Sequence, residues 1–397
     1  MDLLLRNRGA MIFLMLNLFL AMAAFGLVVP VMPEYINMLG LDGTTAGLLT
    51  AAFAVTQFLI SPYAGKLSDR GGRKKIIVIG MLILAISELI FAVASNVTWL
   101  YISRLLGGIG IAFVSPAVMA YAADLTTERE RARGMSYVAA ALSTGFIVGP
   151  GIGGFLAEFG TRVPFYAAAA GAGTAAILTL FVLPEIKGKA EQVNTENEVG
   201  IFKGLIQSIK APYVATLIVL LALGFALSNF ETVFGLYLDD GYGYSASQIA
   251  VIITVGGIAG VVVQLGLMDL LVGKLGEYKV ILYSLLVTAL SIPALILTDS
   301  YWGIMIVTVI IFSACDILRP AASTYLSKQA GDNDQGYVAG LNSSYNSIGT
   351  IIGAALAGVL FDMGLILPYI AAGFILLICF AYFAAKRKAK PKTAKAK

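Results

Sequence analysis

Twelve runs of apolar residues, each long enough to cross a lipid bilayer, fall near 9–33, 44–64, 76–96, 98–123, 133–158, 162–184, 213–238, 246–270, 279–298, 300–326, 336–361 and 365–385. About 20 apolar residues in a helix span the hydrocarbon core. Only helices and closed barrels satisfy their backbone polar groups there. The runs therefore predict an all-α polytopic membrane protein. Composition agrees: 13% of the 397 residues are charged, about half the share found in a soluble domain. The first run follows Arg6 and Arg8 and carries AMAA at 21–24 in the manner of a signal peptide. It stays apolar to Val31, well beyond the roughly 7–15-residue apolar region of a cleaved leader. It reads as an uncleaved first helix.

The positions of the basic residues set the orientation. With the N-terminus in the cytoplasm, 24 of the 27 Lys and Arg fall in cytoplasmic segments. Arg162 lies outside, and Arg104 and Arg319 lie within spans. Both termini are expected inside, and the net charge of +4 is explained by cytoplasmic loops rather than by nucleic-acid binding. The long polar connection 185–212 separates two six-helix bundles, 1–184 and 213–385, with a basic cytoplasmic tail at 386–397. Within the connection, IFKGLIQSIK (201–210) has apolar residues at helical spacing with lysines opposite, the pattern of a helix lying on the inner membrane surface.

The two bundles repeat at an offset of 204 residues. SPAVMAY (115–121) aligns with RPAASTY (319–325), and STGFIVGPGIGGFLAEFG (143–160) with SIGTIIGAALAGVLFDMG (347–364). Halves in the same membrane orientation form two parallel six-helix pseudo-repeats, the organisation of a rocking transporter with its site between repeats. In the first copy Gly145, Gly149 and Gly153 recur every four residues and give a smooth face for close helix approach. Pro150, replaced by Ala354 in the second copy, is the specialised addition. It is expected to bend the fifth helix where the halves meet.

Charge within a span costs about 2.5–3.5 kcal/mol at the helix centre, so each such residue is a functional candidate. There is no histidine, so proton chemistry falls on carboxylates. Glu231 in SNFETVF and Arg104 in SRLLGG lie at similar depth from the outer side, where the two can meet. Asp316 and Arg319 in CDILRP share a helix face beside Pro320. Structural ion pairing explains the arginines in part. It does not explain Glu231, which has no basic residue in reach on its own helix. A carboxylate in a low-dielectric cavity is able to hold a proton or a cation. A group that holds one at a time couples proton flow to cation export. Glu88 in ISELIF has no partner legible in the sequence and reads equally as a shielded structural acid or a pathway residue. Cys315 and Cys379 sit in apolar runs and give neither a disulfide framework nor metal-ligand spacing. No metal or cofactor is expected.

Between the second and third spans, GKLSDRGGRKK (65–75) is a tight turn permitted by Gly71 and Gly72, with Asp69 placed to cap or bridge the next helix. This order resembles the signature loop of the major facilitator superfamily. SRLLGGIGIAF resembles its fourth-helix motif, and STGFIVGPGIGG the fifth-helix motif of its drug–proton antiporters. FGLVVPVMPEY, FALSNFETVF, CDILRPA and GGIAG are similar to stretches of the NorA and Bmr type multidrug exporters of Gram-positive bacteria, and the resemblance covers nearly the whole chain. It implies a twelve-helix proton antiporter of the bacterial plasma membrane. Such a protein exports hydrophobic, often cationic drugs and dyes by alternating access, and is not an enzyme. Glu231 and Asp316 would be the proton-coupled acids, and Arg104 and Arg319 their charged neighbours. Gly65, Asp69, Arg70, Gly72 and Arg73 would form the gating loop, and Gly145, Gly149, Pro150, Gly153 and Gly154 the antiporter motif. The second-half counterpart, VGKLGEYKV, lacks the basic run, so one strong cytoplasmic gate is expected, in the first half.

Residues able to face a cavity are Phe25, Gln57, Phe146, Phe230, Phe234, Tyr325 and Asn342. Such a surface takes flat cationic molecules by stacking and cation–π contact. The competing reading is a transporter for one metabolite, such as a sugar or amino acid, which calls for more converging hydrogen-bonding groups than these spans offer. One chain contains both halves, so a monomer suffices.

Overall fold

A computed structural model describes residues 3–4, 6–185, 201–330 and 334–388. Thirteen helices occupy nearly all of it. They are α1 (Arg6–Leu39), α2 (Gly43–Gly71), α3 (Arg73–Val93), α4 (Val97–Leu125), α5 (Arg131–Ala157), α6 (Val163–Val182), α7 (Ile201–Ser208), α8 (Val214–Tyr242), α9 (Ala246–Leu275), α10 (Glu277–Ala294), α11 (Tyr301–Gln329), α12 (Gln335–Met363) and α13 (Leu367–Lys388). All but α7 are long and apolar enough to span a membrane, twelve among the described residues. Several outrun the apolar run that announces them. Hydropathy marks only the lipid-buried part of a helix, whereas its end is set by backbone chemistry. Thus α2 continues to Gly71 and stops at Gly72, whose φ of +97° reverses the chain in a single residue. Asp42 starts the same helix by accepting from the Thr45 N–H at 2.8 Å and the Thr45 hydroxyl at 2.6 Å. Those bonds hold its carboxyl below the usual range.

The sequence repeat is written into the helix boundaries. Helices α3, α4, α5 and α6 begin at Arg73, Val97, Arg131 and Val163, and α10, α11, α12 and α13 begin 204 residues later, at Glu277, Tyr301, Gln335 and Leu367. By internal packing the chain divides into two compact units. One is Met1–Glu196 with Phe234–Thr254, and the other is Asn197–Val233 with Val255–Lys397.

Within the first unit the glycine stripe of α5 meets α1. A Cβ on Gly145 would collide with the Phe19 carbonyl, one on Gly149 would lie 2.8 Å from the Ala23 carbonyl, and one on Gly153 2.5 Å from that of Leu27. The stripe and its partners share a four-residue spacing, so two backbones touch along two turns. The second unit repeats the device, with Gly349 against the Leu221 carbonyl and Gly353 against that of Phe225, both on α8. Pro150 lies inside an unbroken α5. Its ring packs on α1, where a Cβ at Gly26 would come within 2.9 Å of the Pro150 Cδ. The adjacent face of α5 meets α9: Gly154 lies against Ala246 and Ala250, and Gly151 against Thr254.

Helix α7 docks on α12 through Ser208, whose hydroxyl lies 2.8 Å from that of Tyr345, and through Tyr337, which donates to the Gly204 carbonyl at 3.2 Å. Ile206 and Ile209 stay exposed. The lysine-rich tail from 389 onward and most of the connection 186–200 lie outside the described residues.

Candidate functional site

The intramembrane charges form two groups, one in each unit. In the second unit Glu231 comes from α8, and Asp316 and Arg319 from one face of α11. Arg319 and Asp316 are the charges whose fields act on Glu231. The Glu231 Oε1 is buried with no hydrogen-bond partner among the described residues, as are the hydroxyls of Thr232 and Ser313. A glycine makes the room: a Cβ at Gly260 on α9 would collide with the Asp316 Oδ2, so the GGIAG stretch lets a carboxylate rest against helix backbone. Two acids and one arginine leave a net negative charge when both acids are ionised. The group accommodates one proton or one external cation.

In the first unit Arg104 meets Glu88, with Nη2 3.7 Å from Oε2. Both residues are nearly inaccessible, 3% and 1% exposed, and the guanidinium carbon lies 4.1 Å above the Phe91 ring. Glu88 has no partner legible in the sequence; the structure pairs it with Arg104 across the α3–α4 hairpin. The physical reason is the α3–α4 hairpin. Chains folding back about Asn96 bring positions 88 and 104 level, just as Ser87 and Ser103 donate to each other's carbonyls at 2.8 Å. A symmetry count about the turn would have found the pair. At the end of that hairpin, Arg162 donates to the Ala94 carbonyl at 3.2 Å, placing positive charge at the C-terminus of α3.

The signature loop is a one-residue turn. Asp69 on the last turn of α2 pairs with Arg73, bridging to the next helix, and the Arg73 Nε donates to the Asp124 Oδ2 on α4 at 3.0 Å. A Cβ on Gly72 would lie 2.5 Å from the Glu185 Oε1. The neighbouring Pro184 carbonyl accepts from the Tyr121 hydroxyl at 2.6 Å. The end of the sixth span is therefore tied to α4 and lies against the same turn. Arg70 lies in the final turn of α2, and Gly65 has open space where a Cβ would be. Asp124 and Glu185 are not singled out by the sequence.

The proposed aromatic contacts separate into two kinds. Phe25 and Phe146 are partly accessible, with rings nearly parallel at 19° and centroids 6.0 Å apart, and Phe25 also meets Phe53 at 5.1 Å. Phe230 and Phe234 are 1% exposed. Phe230 is held edge-on by Phe312 at 6.1 Å and Tyr369 at 6.2 Å. Tyr325 sits in a cluster with Tyr278 and Phe383. Asn342 donates to the Ser323 hydroxyl at 3.0 Å, and Gln57 is partly accessible on α2. Among the described residues no group of three or more His, Cys, Asp or Glu is placed to hold a metal ion.

Comparison with known proteins gives these features a context. The model of the Major Facilitator Superfamily matches residues 14–277 and 266–397. Multidrug resistance protein 2 of Bacillus subtilis is 44% identical over 92% of each chain. Multidrug resistance protein 1 of the same organism is also 44% identical, over 93% of this chain and 94% of that one. The quinolone resistance protein NorA of Staphylococcus aureus is 38% identical over 90% of this chain and 91% of its own. Among solved structures, the nucleoside transporter NupG superposes with a TM-score of 0.82 at 14% identity, covering 95% of this chain and 99% of that one. A bacterial homologue of the human lysosomal transporter Spinster reaches 0.80 at 17% identity, covering 97% and 98%. At those identities the two structures speak for the fold alone.

Proposed function

Because the chain belongs to the major facilitator superfamily, we propose that it is a proton-coupled multidrug efflux antiporter, exporting hydrophobic, often cationic drugs and dyes by alternating access. The observation that carries the reading is the second-unit charge group: a partly buried Glu231, its Oε1 without a hydrogen-bond partner among the described residues, with the charges of Asp316 and Arg319 acting on it, in a chain 44% identical to two multidrug resistance proteins. Leaving a bare charge in low dielectric costs several kcal/mol, so Glu231 and Asp316 keep either a proton or a cationic substrate close by. Proton entry displaces the cation outward, and proton loss to the cytoplasm readies the group for the next one.

Phe25 and Phe146 are the partly accessible rings against which a flat cation stacks. Gln57, Tyr325 and Asn342 supply adjustable polar contacts. The Asp69–Arg73–Asp124 chain of charges serves as the cytoplasmic gate. The antiporter motif packs α5 on α1 and α9, and Pro150 there limits proton leak as the halves move. In this reading the bundles 1–184 and 213–385 are the moving halves, joined by the 185–212 connection, whose helix α7 lies on the inner membrane surface through Ile206 and Ile209. The protein works as a monomer in the bacterial plasma membrane with both termini inside, and moves its substrates without chemically changing them.

Dye export from proteoliposomes tests the reading. A Glu231→Gln variant is expected to lose gradient-driven export, and Asp316→Asn to abolish or uncouple it. Undiminished export by the Asp316→Asn variant, with its proton stoichiometry intact, would remove that acid from the mechanism.

A further inference from the structure

The ion pair between Arg73 and Asp124 has a counterpart that its charges conceal. Arg73 is the first residue of α3 and Asp124 the next-to-last of α4. Glu277 is the first residue of α10 and Lys328 the next-to-last of α11, each 204 residues further along, and they too form an ion pair. The turn glycines correspond as well: Gly72 with φ +97° and Gly276 with φ +75°. Geometry is kept and both signs are exchanged. A search for a second basic run therefore passes over it.

We infer that Glu277 and Lys328 form the second half's own cytoplasmic gating pair, equivalent to Arg73–Asp124 with reversed polarity. The inference rests on the transport reading above, and it adds a second gate to the one expected in the first half. Helix dipoles explain the different surroundings of the two pairs. Arg73 sits at the positive start of α3 and Asp124 in the negative last turn of α4, so both oppose the local dipole. A third charge, Asp69, supports Arg73 from the preceding helix. Glu277 at the start of α10 and Lys328 at the end of α11 both match theirs. They need no third charge, and Gly273 stands at the position equivalent to Asp69.

Exposure points the same way. The Lys328 side chain is 62% exposed and that of Glu277 18%. An accessible pair adds little to overall stability, which suits a contact that opens and closes in every cycle.

The test uses the full-length purified chain with Glu277→Lys, Lys328→Glu and the double exchange, which copies the first-half polarity. Two readouts are taken: dye export driven by a proton gradient in proteoliposomes, and hydrogen exchange in the first turn of α10 and last turn of α11. Each single variant is expected to export several-fold more slowly and exchange faster at those turns, with a melting temperature near wild type. The double exchange is expected to recover part of each loss, since the pair is restored while both charges then oppose their helix dipoles without the third charge that Asp69 supplies in the first half. Single variants that match wild type in both readouts, or a double exchange no better than the singles, would overturn the inference. If the wild type exports no dye, the transport reading fails, and the exchange pattern alone decides whether the pair latches these helices.

Discussion

Glu88 and Arg104 attract each other across 3.7 Å, yet the Glu88 Oε2 and the Arg104 Nε and Nη2 have no hydrogen-bond partner among the described residues. Removing one member of a buried pair strands the other and costs about 3–5 kcal/mol, whereas replacing both by apolar residues is often neutral. Thermal melting of Glu88→Leu and Arg104→Leu should therefore show large losses, with the double variant closer to wild type than either single. Equal, additive losses would mean that the two residues act separately. Asp42 gives a pH-dependent counterpart outside the membrane. Its folded carboxyl is held low by Thr45, so its contribution is present above the unfolded carboxylate range and fades as pH falls through the folded value. Asp42→Ala should cost about 1 kcal/mol at neutral pH, with the deficit shrinking in acid. A deficit independent of pH would contradict the cap.

At the scale of elements, glycines divide by what a Cβ would meet. Gly149 and Gly353 face backbone carbonyls that have nowhere to move. Leucine at either should reduce folded yield sharply, an overpacking penalty at or above about 1–3 kcal/mol. Gly65 has open space around it, so Gly65→Ala should keep or slightly raise the melting temperature by removing up to about 1 kcal/mol of helix penalty. Any transport loss in that variant then belongs to gating. Pro150→Ala should admit proton leak or weaken coupling, and unaltered coupling with no leak would remove the proline from that role. The helices themselves were readable from apolar length and the repeat from the glycine offset. Which aromatic faces where was not. In a membrane protein both the core side and the lipid side of a helix are apolar, so the 3.6-residue contrast that marks a buried face disappears. Phe230 and Phe25 look alike in sequence and differ in packing: one is closed in by Phe312 and Tyr369, while the other keeps an accessible face.

At the scale of the molecule, duplication supplies two versions of each device, and the chain differentiates them. The first unit holds a neutral buried pair, Glu88 with Arg104, and the second holds two acids with one arginine. Only the second has a carboxylate in excess, and the proposed proton coupling rests on that excess. Reading the sequence identified Glu231, Asp316 and Arg319 because charges in apolar runs stand out. It left Glu88 without its partner Arg104, because depth along a helix says nothing of which neighbour a side chain meets. The most direct test is export of a lipophilic cationic dye from proteoliposomes under an imposed proton gradient, comparing wild type with Glu231→Gln. Wild-type export that stops when the gradient is collapsed, together with loss of gradient-driven export in the variant, is the predicted result. Wild-type export undiminished after collapse of the gradient, or a variant that exports as well as wild type, would contradict proton coupling through Glu231.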